Sequence, residues 1–413
     1  MFADFGRWSE AIKKGVDKDI RIDQMYQLAK ADTRAAIISS IADGEYRISP
    51  PHIAKIPKGN GEFREVYVNE PIDRVVLNIA NNLLFDLCPE MVHKNCKSYQ
   101  TGIGCDQVVK EVSRMIEESD GNIIGWKSDL SKYFDSVPIR YVDEVFDNVE
   151  EKHGKSKLID MLRDYYHNDI YFDVDGNVQS KYQSMKQGCS VASFLADAVL
   201  FHIDERLSSL DGLYIRYSDD MLYVGEDYQL AMDILNEELA KMEMKLNPKK
   251  IEFLDKNHWF KFLGFSIKGS MLSMSPTRLK IFQKEIEKRT IKKRDNTLRK
   301  AVNSVNSYLY KGNGEFSWAT QVLNVVNVKK DIDIMNMFVM DCLRAVQTGK
   351  RKVGGLGYVK ELKDHCVVRG TGRNVKANRQ KTEAKIEGYL SLGCMQKAMM
   401  TRRGFYNTLA MGL

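Results

Sequence analysis

The chain has 413 residues, of which 43% are apolar and 29% charged, and its net charge is +6. This is the composition of an ordinary soluble globular protein, long enough for roughly two to four domains. So small a net charge is by itself a weak argument for a polyanionic partner; where the charge sits matters more. No apolar run approaches the roughly 18 residues of a membrane span, and Met1-Phe2-Ala3-Asp4-Phe5 lacks the charged start and apolar core of a secretory signal. Seven scattered cysteines without a Cys-x-x-Cys pair disfavour a zinc site or a disulfide framework and suit a reducing cytoplasm.

Residues 1–50 read as helical, with Ile20, Ile22, Met25, Leu28 and Ala29 at helical spacing. They form an expected extension packed on the domain that follows. Alternation on both sides of Gly59-Asn60-Gly61 predicts a hairpin over residues 55–68, and its Lys58 and Arg64, taken alone, are ordinary surface charges. An apolar strand then ends in Asp129, followed closely by Tyr133, Phe134 and Asp135. Asp173-Val174-Asp175-Gly176-Asn177 resembles half a calcium loop but reads better as an Asp-Gly hairpin turn.

Ser184-Met185-Lys186-Gln187-Gly188-Cys189-Ser190 opens an apolar helix running to Asp204. Its small residues permit a close backbone approach, and Cys189 reads as a packing residue. Leu213 to Gly225 reads as two short strands joined by a tight turn with Asp219 and Asp220 at its tip. Such a turn is either an exposed acidic loop or a site whose repelling acids need a divalent cation. Lys-Gly-Asn-Gly-Glu-Phe occurs at 58–63 and again at 311–316, which is repeated turn chemistry and not a duplication.

Ser275-Pro276 supplies an N-cap and a first-turn proline. The stretch after it, from Thr277 to Lys300, holds ten Lys or Arg against three acids, and a second helical stretch is expected over about 317–347. From Gly349 onward, glycines interleave with cations; residues 350–381 hold ten Lys or Arg against Glu361 and Asp364. A helical tail is expected from about Thr382 to Met411.

Five segments stand in the order and spacing of motifs A to E of the reverse transcriptases, which the chain resembles over roughly residues 50–275. Asp129 lies in motif A and Gln187-Gly188 in motif B. Tyr217-Ser218-Asp219-Asp220 is similar to motif C, Lys245-Leu246-Asn247-Pro248-Lys249-Lys250 to motif D, and Phe262-Leu263-Gly264-Phe265 to motif E. The resemblance implies an α+β right-hand polymerase fold. Its parts would be an N-terminal helical extension (1–50), fingers and palm (51–275), a helical thumb (276–348) and a basic C-terminal segment (349–413).

It also implies that Asp129, Asp219 and Asp220, with the Leu130 backbone, hold two Mg²⁺ ions. One would activate a primer 3′-hydroxyl and the other would stabilise the leaving pyrophosphate. Lys250, with Lys249 as the alternative, matches the lysine that protonates the leaving group. Lys58 and Arg64 match the cations that close over the triphosphate. Phe134 falls where an aromatic ring excludes the 2′-hydroxyl, and Gln187 and Gly188 fall where motif B meets the nucleotide. The partners implied are an RNA template, dNTPs and a DNA product; no membrane is expected, and the oligomeric state stays open.

Three departures from the group II intron pattern accompany the resemblance: Thr101 and Gly102 where an aromatic and an arginine usually follow, Cys189 after Gln-Gly, and Ser193-Phe194 in place of Ser-Pro. The two in motif B, Cys189 and Ser193-Phe194, point toward the bacterial, defence-associated (unknown-group) reverse transcriptases related to group II intron and retron enzymes. Such an enzyme would copy a bound noncoding RNA in the cytoplasm during antiviral defence. With no RNase H acid set and no nuclease pattern, the chain reads as a polymerase alone. An RNA-binding maturase or scaffold with a vestigial site, or an RNA-dependent RNA polymerase, is the alternative.

Overall fold

A computed structural model describes residues 1–16, 22–57, 62–100, 102–118, 124–181, 184–312, 317–349, 386 and 388–392. Lys58, the Gly59-Asn60-Gly61 turn, the basic segment 350–381 and nearly all of the expected C-terminal helix lie outside them. The fold is α+β, with eleven strands among the described residues: β1 (His52–Pro57), β2 (Phe63–Val68), β3 (Ile124–Asp129), β4 (Ile170–Phe172), β5 (Val178–Ser180), β6 (Leu213–Tyr217), β7 (Asp220–Val224), β8 (Glu252–Asp255), β9 (Phe260–Phe262), β10 (Phe265–Lys268) and β11 (Met271–Met274). They form three sheets, ordered β2-β1-β4-β5, β6-β7-β3-β8 and β11-β10-β9. Residues 1–102 with 124–253 make one compact unit, and residues 103–123 with 254–413 a second.

In the first unit, β1 and β2 form the expected hairpin, paired from His52–Val68 to Pro57–Phe63. The Asp173–Asn177 segment turns β4 into β5 with Gly176 at φ 83°. Both faces of the β6–β7 hairpin are covered, so its residues are apolar almost without alternation: Tyr214, Ile215, Met221, Leu222 and Tyr223 are all buried. Trp126 of β3 stacks on Tyr223 and donates its indole N–H to the Tyr228 carbonyl at 2.9 Å.

The N-terminal segment is helical over Phe5–Val16, Ile22–Ala29 and Ala31–Ala42, and the first of these packs on the helix Pro71–Leu87. That helix has proline in its first turn and buries Val75, Val76, Ile79, Ala80, Leu83 and Leu84 as one apolar stripe. Its Asp73 ties down the incoming chain, accepting from Tyr46 Oη at 2.7 Å and the Ser49 N–H at 2.9 Å.

In the second unit, Leu263 (φ 47°) and Gly264 (φ 79°) make the left-handed two-residue turn between β9 and β10. Ser275 caps the helix Pro276–Arg289, its hydroxyl accepting from the Arg278 N–H at 3.3 Å. The expected second helical stretch is interrupted. A π-helical turn, Ala319–Leu323, is separated from the helix Lys329–Thr348 by Asn327. The Asn327 amide accepts from the Leu272 N–H and donates to the Ser270 carbonyl, both at 2.8 Å. The helix Cys105–Glu118 belongs to this unit by packing, although chain order sets it before β3. The short segment 388–392 docks on the helices Leu298–Asn306 and Lys329–Thr348. Asn306 donates to the Gly388 carbonyl, Asn336 accepts from the Leu392 N–H, and the Leu392 side chain is buried.

Candidate active site

Three carboxylates meet at the ends of two strands. β3 runs antiparallel to β7, and Asp129 faces Asp220 in a register that continues to Gly125–Val224. β6 pairs β7 from Leu213–Val224 to Tyr217–Asp220, which leaves Ser218 and Asp219 as a two-residue turn. Tight hairpin turns need positive φ, and Ser218 supplies it at 58°. The Leu130 N–H donates to the Asp219 carbonyl at 3.2 Å, and the Asn247 N–H to the Asp129 carbonyl at 2.8 Å. Leu130, buried, also bridges Leu246. Backbone bonds therefore bring three segments of the sequence to one place, and Lys250 closes it with an ion pair to Asp129.

The electrostatics follow from that crowding. Burial pushes the Asp219 carboxyl above its usual range, and the neighbouring Asp129 charge pushes the same way. Asp220 is pushed up to about 6, first by burial and then by Asp219 and Asp129, with Lys250 and Lys127 opposing in part. Carboxylates crowded together in this way fit the oxygen donor set of a hard divalent cation.

Beside the carboxylates, a left-handed Lys132 (φ 51°) leads into the short helix Tyr133–Ser136. Tyr133 is buried and donates to the Ala196 carbonyl at 2.7 Å, whereas Phe134 is half-buried against it. The Phe134 carbonyl accepts from Ser184 Oγ at 2.8 Å and the Met185 N–H at 3.1 Å, which places Phe134 against the start of the 184–190 segment. Asp135 is held by Lys181 at 2.9 Å. The Gln187 carbonyl accepts from the Tyr67 N–H of β2 at 2.7 Å. Gly188 has φ 107°, and a Cβ there would lie 2.7 Å from the Tyr67 carbonyl oxygen. The close backbone approach that a glycine permits is thus made, among the described residues, to strand β2. Arg64 stands exposed on β2 opposite Ile56.

Two buried cations were not picked out by the sequence reasoning. Lys186 (φ 43°) donates to the carbonyls of Tyr165, Tyr166 and Asn168 at 2.7–3.3 Å, where the helix Lys157–His167 ends and its unpaired carbonyls favour a cation. Arg216 lies behind the turn, paired with Asp204 at 2.5 Å and wholly buried. Its only signal in the sequence is a charge inside an otherwise apolar strand.

The basic stretch after Ser275 divides by environment. Arg278 lies 4.2 Å over the Phe265 ring and Arg289 4.5 Å over Tyr308, while Lys288 and Lys292 have acid partners in Glu285 and Glu287. Lys280, Lys284, Lys293, Arg294, Arg299 and Lys300 are exposed, with no acid partner among the described residues.

Residues 56–267, just over half of the chain, match the family described as reverse transcriptase (RNA-dependent DNA polymerase). The chain is 22% identical over 177 residues to a putative COX1/OXI3 intron 1 protein of Saccharomyces cerevisiae, a match covering 43% of this chain and 20% of that protein. The chain thus spans about a fifth of the curated relative's length. A solved structure of apo telomerase from Candida tropicalis, truncated from its C-terminal domain, aligns with a TM-score of 0.42 at 15% identity over 62% of this chain and 66% of that one. Telomerase from Candida albicans in complex with a fragment of telomeric RNA aligns with a TM-score of 0.40 at 13% identity over 78% and 64%. The matched range contains the segments whose backbones converge on Asp129, Asp219 and Asp220, and the chain belongs to the reverse transcriptase (RNA-dependent DNA polymerase) family.

Proposed function

We propose that the protein copies an RNA template into DNA from dNTPs, using Asp129, Asp219 and Asp220 as the metal-holding carboxylates. The observation that carries this reading is the junction of β3, the β6–β7 turn and the Asn247–Lys250 segment, where three acids and one lysine share a site. Two bound Mg²⁺ ions, also contacted by the Leu130 backbone, would supply activation of a primer 3′-hydroxyl and charge stabilisation on the leaving pyrophosphate. Lys250, ion-paired to Asp129 beside the carboxylates, protonates the leaving group. Lys58 and Arg64 bind the triphosphate, and Gln187 with Gly188 borders the incoming nucleotide.

Phe134 selects the sugar by excluding a 2′-hydroxyl. The acid next to it, Asp135, is engaged by Lys181 and is not offered to a ribose, which favours a DNA product over an RNA one. The departures at Cys189 and Ser193-Phe194 support a narrower reading, a bacterial defence enzyme that copies its own noncoding RNA in the cytoplasm. Extension of a DNA primer on an RNA template, with dNTPs and Mg²⁺, tests the activity. RNA binding without any extension would instead mean a maturase or scaffold with a vestigial site, and extension with ribonucleotides only would mean an RNA polymerase.

A further inference from the structure

The Ser218–Asp219 turn is held from behind by groups that touch neither nucleotide nor metal in the proposed chemistry. Arg216 has five guanidinium N–H donors, and all are used. Nε donates to Asp204 Oδ1 at 2.7 Å and Nη2 to Asp204 Oδ2 at 2.5 Å. Nη1 donates to the Ala196 carbonyl at 2.9 Å and Nη2 to the Asp197 carbonyl at 2.8 Å. The fifth bond runs from Nη1 to the carbonyl of Ser218 at 3.3 Å.

The other end of Ser218 is also fixed. Its N–H donates to Ser98 Oγ at 2.9 Å, and Ser98 Oγ donates to Asp197 Oδ1 at 2.5 Å. Ser98 is itself set against β6, because the Lys97 N–H donates to the Arg216 carbonyl and the Arg216 N–H to the Asn95 carbonyl. Arg216, Asp204, Asp197 and Ser98 are all fully buried.

A buried ion pair adds little net stability over apolar residues of the same volume; its best-attested use is to specify one arrangement. The arrangement specified here is a non-glycine residue at positive φ, a conformation that persists only when its surroundings over-determine it. The residue after it is Asp219. Resting on the reading of Asp219 as a metal ligand, we propose that Arg216 and Ser98 are positioning residues. They clamp the carbonyl and the N–H of Ser218 and so aim the Asp219 carboxylate at the cation.

Two folded variants test this. Ser98→Ala removes the hydroxyl that holds the Ser218 N–H, and Arg216→Met with Asp204→Leu replaces the ion pair by apolar groups, leaving Asp197, which faces Arg216 at 4.0 Å, with the Ser98 hydroxyl as its donor. Binding of Mn²⁺ alone, followed by the loss of its free-ion paramagnetic signal, reads metal affinity without any polymerase activity. The expected result is an affinity at least fivefold weaker in both variants, with thermal stability close to wild type. Where wild type extends a primer, the metal concentration for half-maximal extension should rise by a similar factor, with less than twofold change in the KM for dNTP. Should the double variant fail to fold, Ser98→Ala decides alone. Equal Mn²⁺ affinity in wild type and folded variants overturns the proposal, whether or not the wild type polymerises. Loss of extension with unchanged Mn²⁺ binding would overturn it as well.

Discussion

In the folded protein the Asp220 carboxyl keeps its proton to about pH 6, against an ordinary value of 3.8. Between those values the native state binds more protons than the unfolded chain, so this group's contribution to stability is lost as pH rises from about 4 through 6. At about 1.4 kcal/mol per pKa unit the contribution is at most ~3 kcal/mol. Without metal, Asp220→Asn should therefore melt higher than wild type at pH 7 and lose part of the wild-type decline between pH 4 and 6. Added Mg²⁺ should raise the melting temperature of wild type more than that of the variant. Coincident metal-free melting curves would contradict the electrostatic account. Phe134 makes a second residue-scale prediction. Phe134→Ala should lower the ratio of dNTP to rNTP incorporation efficiency by roughly tenfold or more, and an unchanged ratio would return the ring to a packing role against Tyr133.

At the scale of elements, the 184–190 segment is pinned to β2 through Gly188. Gly188→Ala would strain a backbone at φ 107° and press Cβ to within 2.7 Å of the Tyr67 carbonyl. We expect a loss of about 1–3 kcal/mol in urea unfolding; a neutral substitution would mean that β2 moves aside freely. Elements marked by local chemistry were legible in the sequence. The Asp-Gly turn, the Ser-Pro helix start and the Ser-Asp-Asp tip each announce themselves over a few residues.

Elements decided by distant partners were not legible. The expected single helix after Ser190 is two, Ala192–Ala198 and Phe201–Ser208, parted where Leu200 leaves helical geometry at φ −98°, ψ 10°. The break at Asn327 exists because its amide serves residues 270 and 272. Likewise the three acids could be read from strand and turn patterns. Arg216 could not, since its partners at Asp204, Ala196 and Asp197 are neighbours only in the fold.

For the whole molecule, a net charge of +6 would give little attraction to nucleic acid if spread evenly. It is not spread evenly. Lys280 and Lys284 lie one turn apart on the helix Pro276–Arg289, both exposed and without acid partners among the described residues. Lys280→Gln with Lys284→Gln should flatten the log–log salt dependence of primer–template binding by roughly one unit for each phosphate that is no longer neutralised; an unchanged slope would make this face merely solvated. The central proposal is that Asp129, Asp219 and Asp220 together hold the metal for RNA-templated DNA synthesis. Its most direct test is dNTP incorporation on a primed RNA template by wild type and Asp219→Ala, with template affinity measured in parallel. The account predicts extension by wild type and a loss of more than about 100-fold in the variant, with RNA affinity unchanged. Equal extension by the two proteins would contradict it.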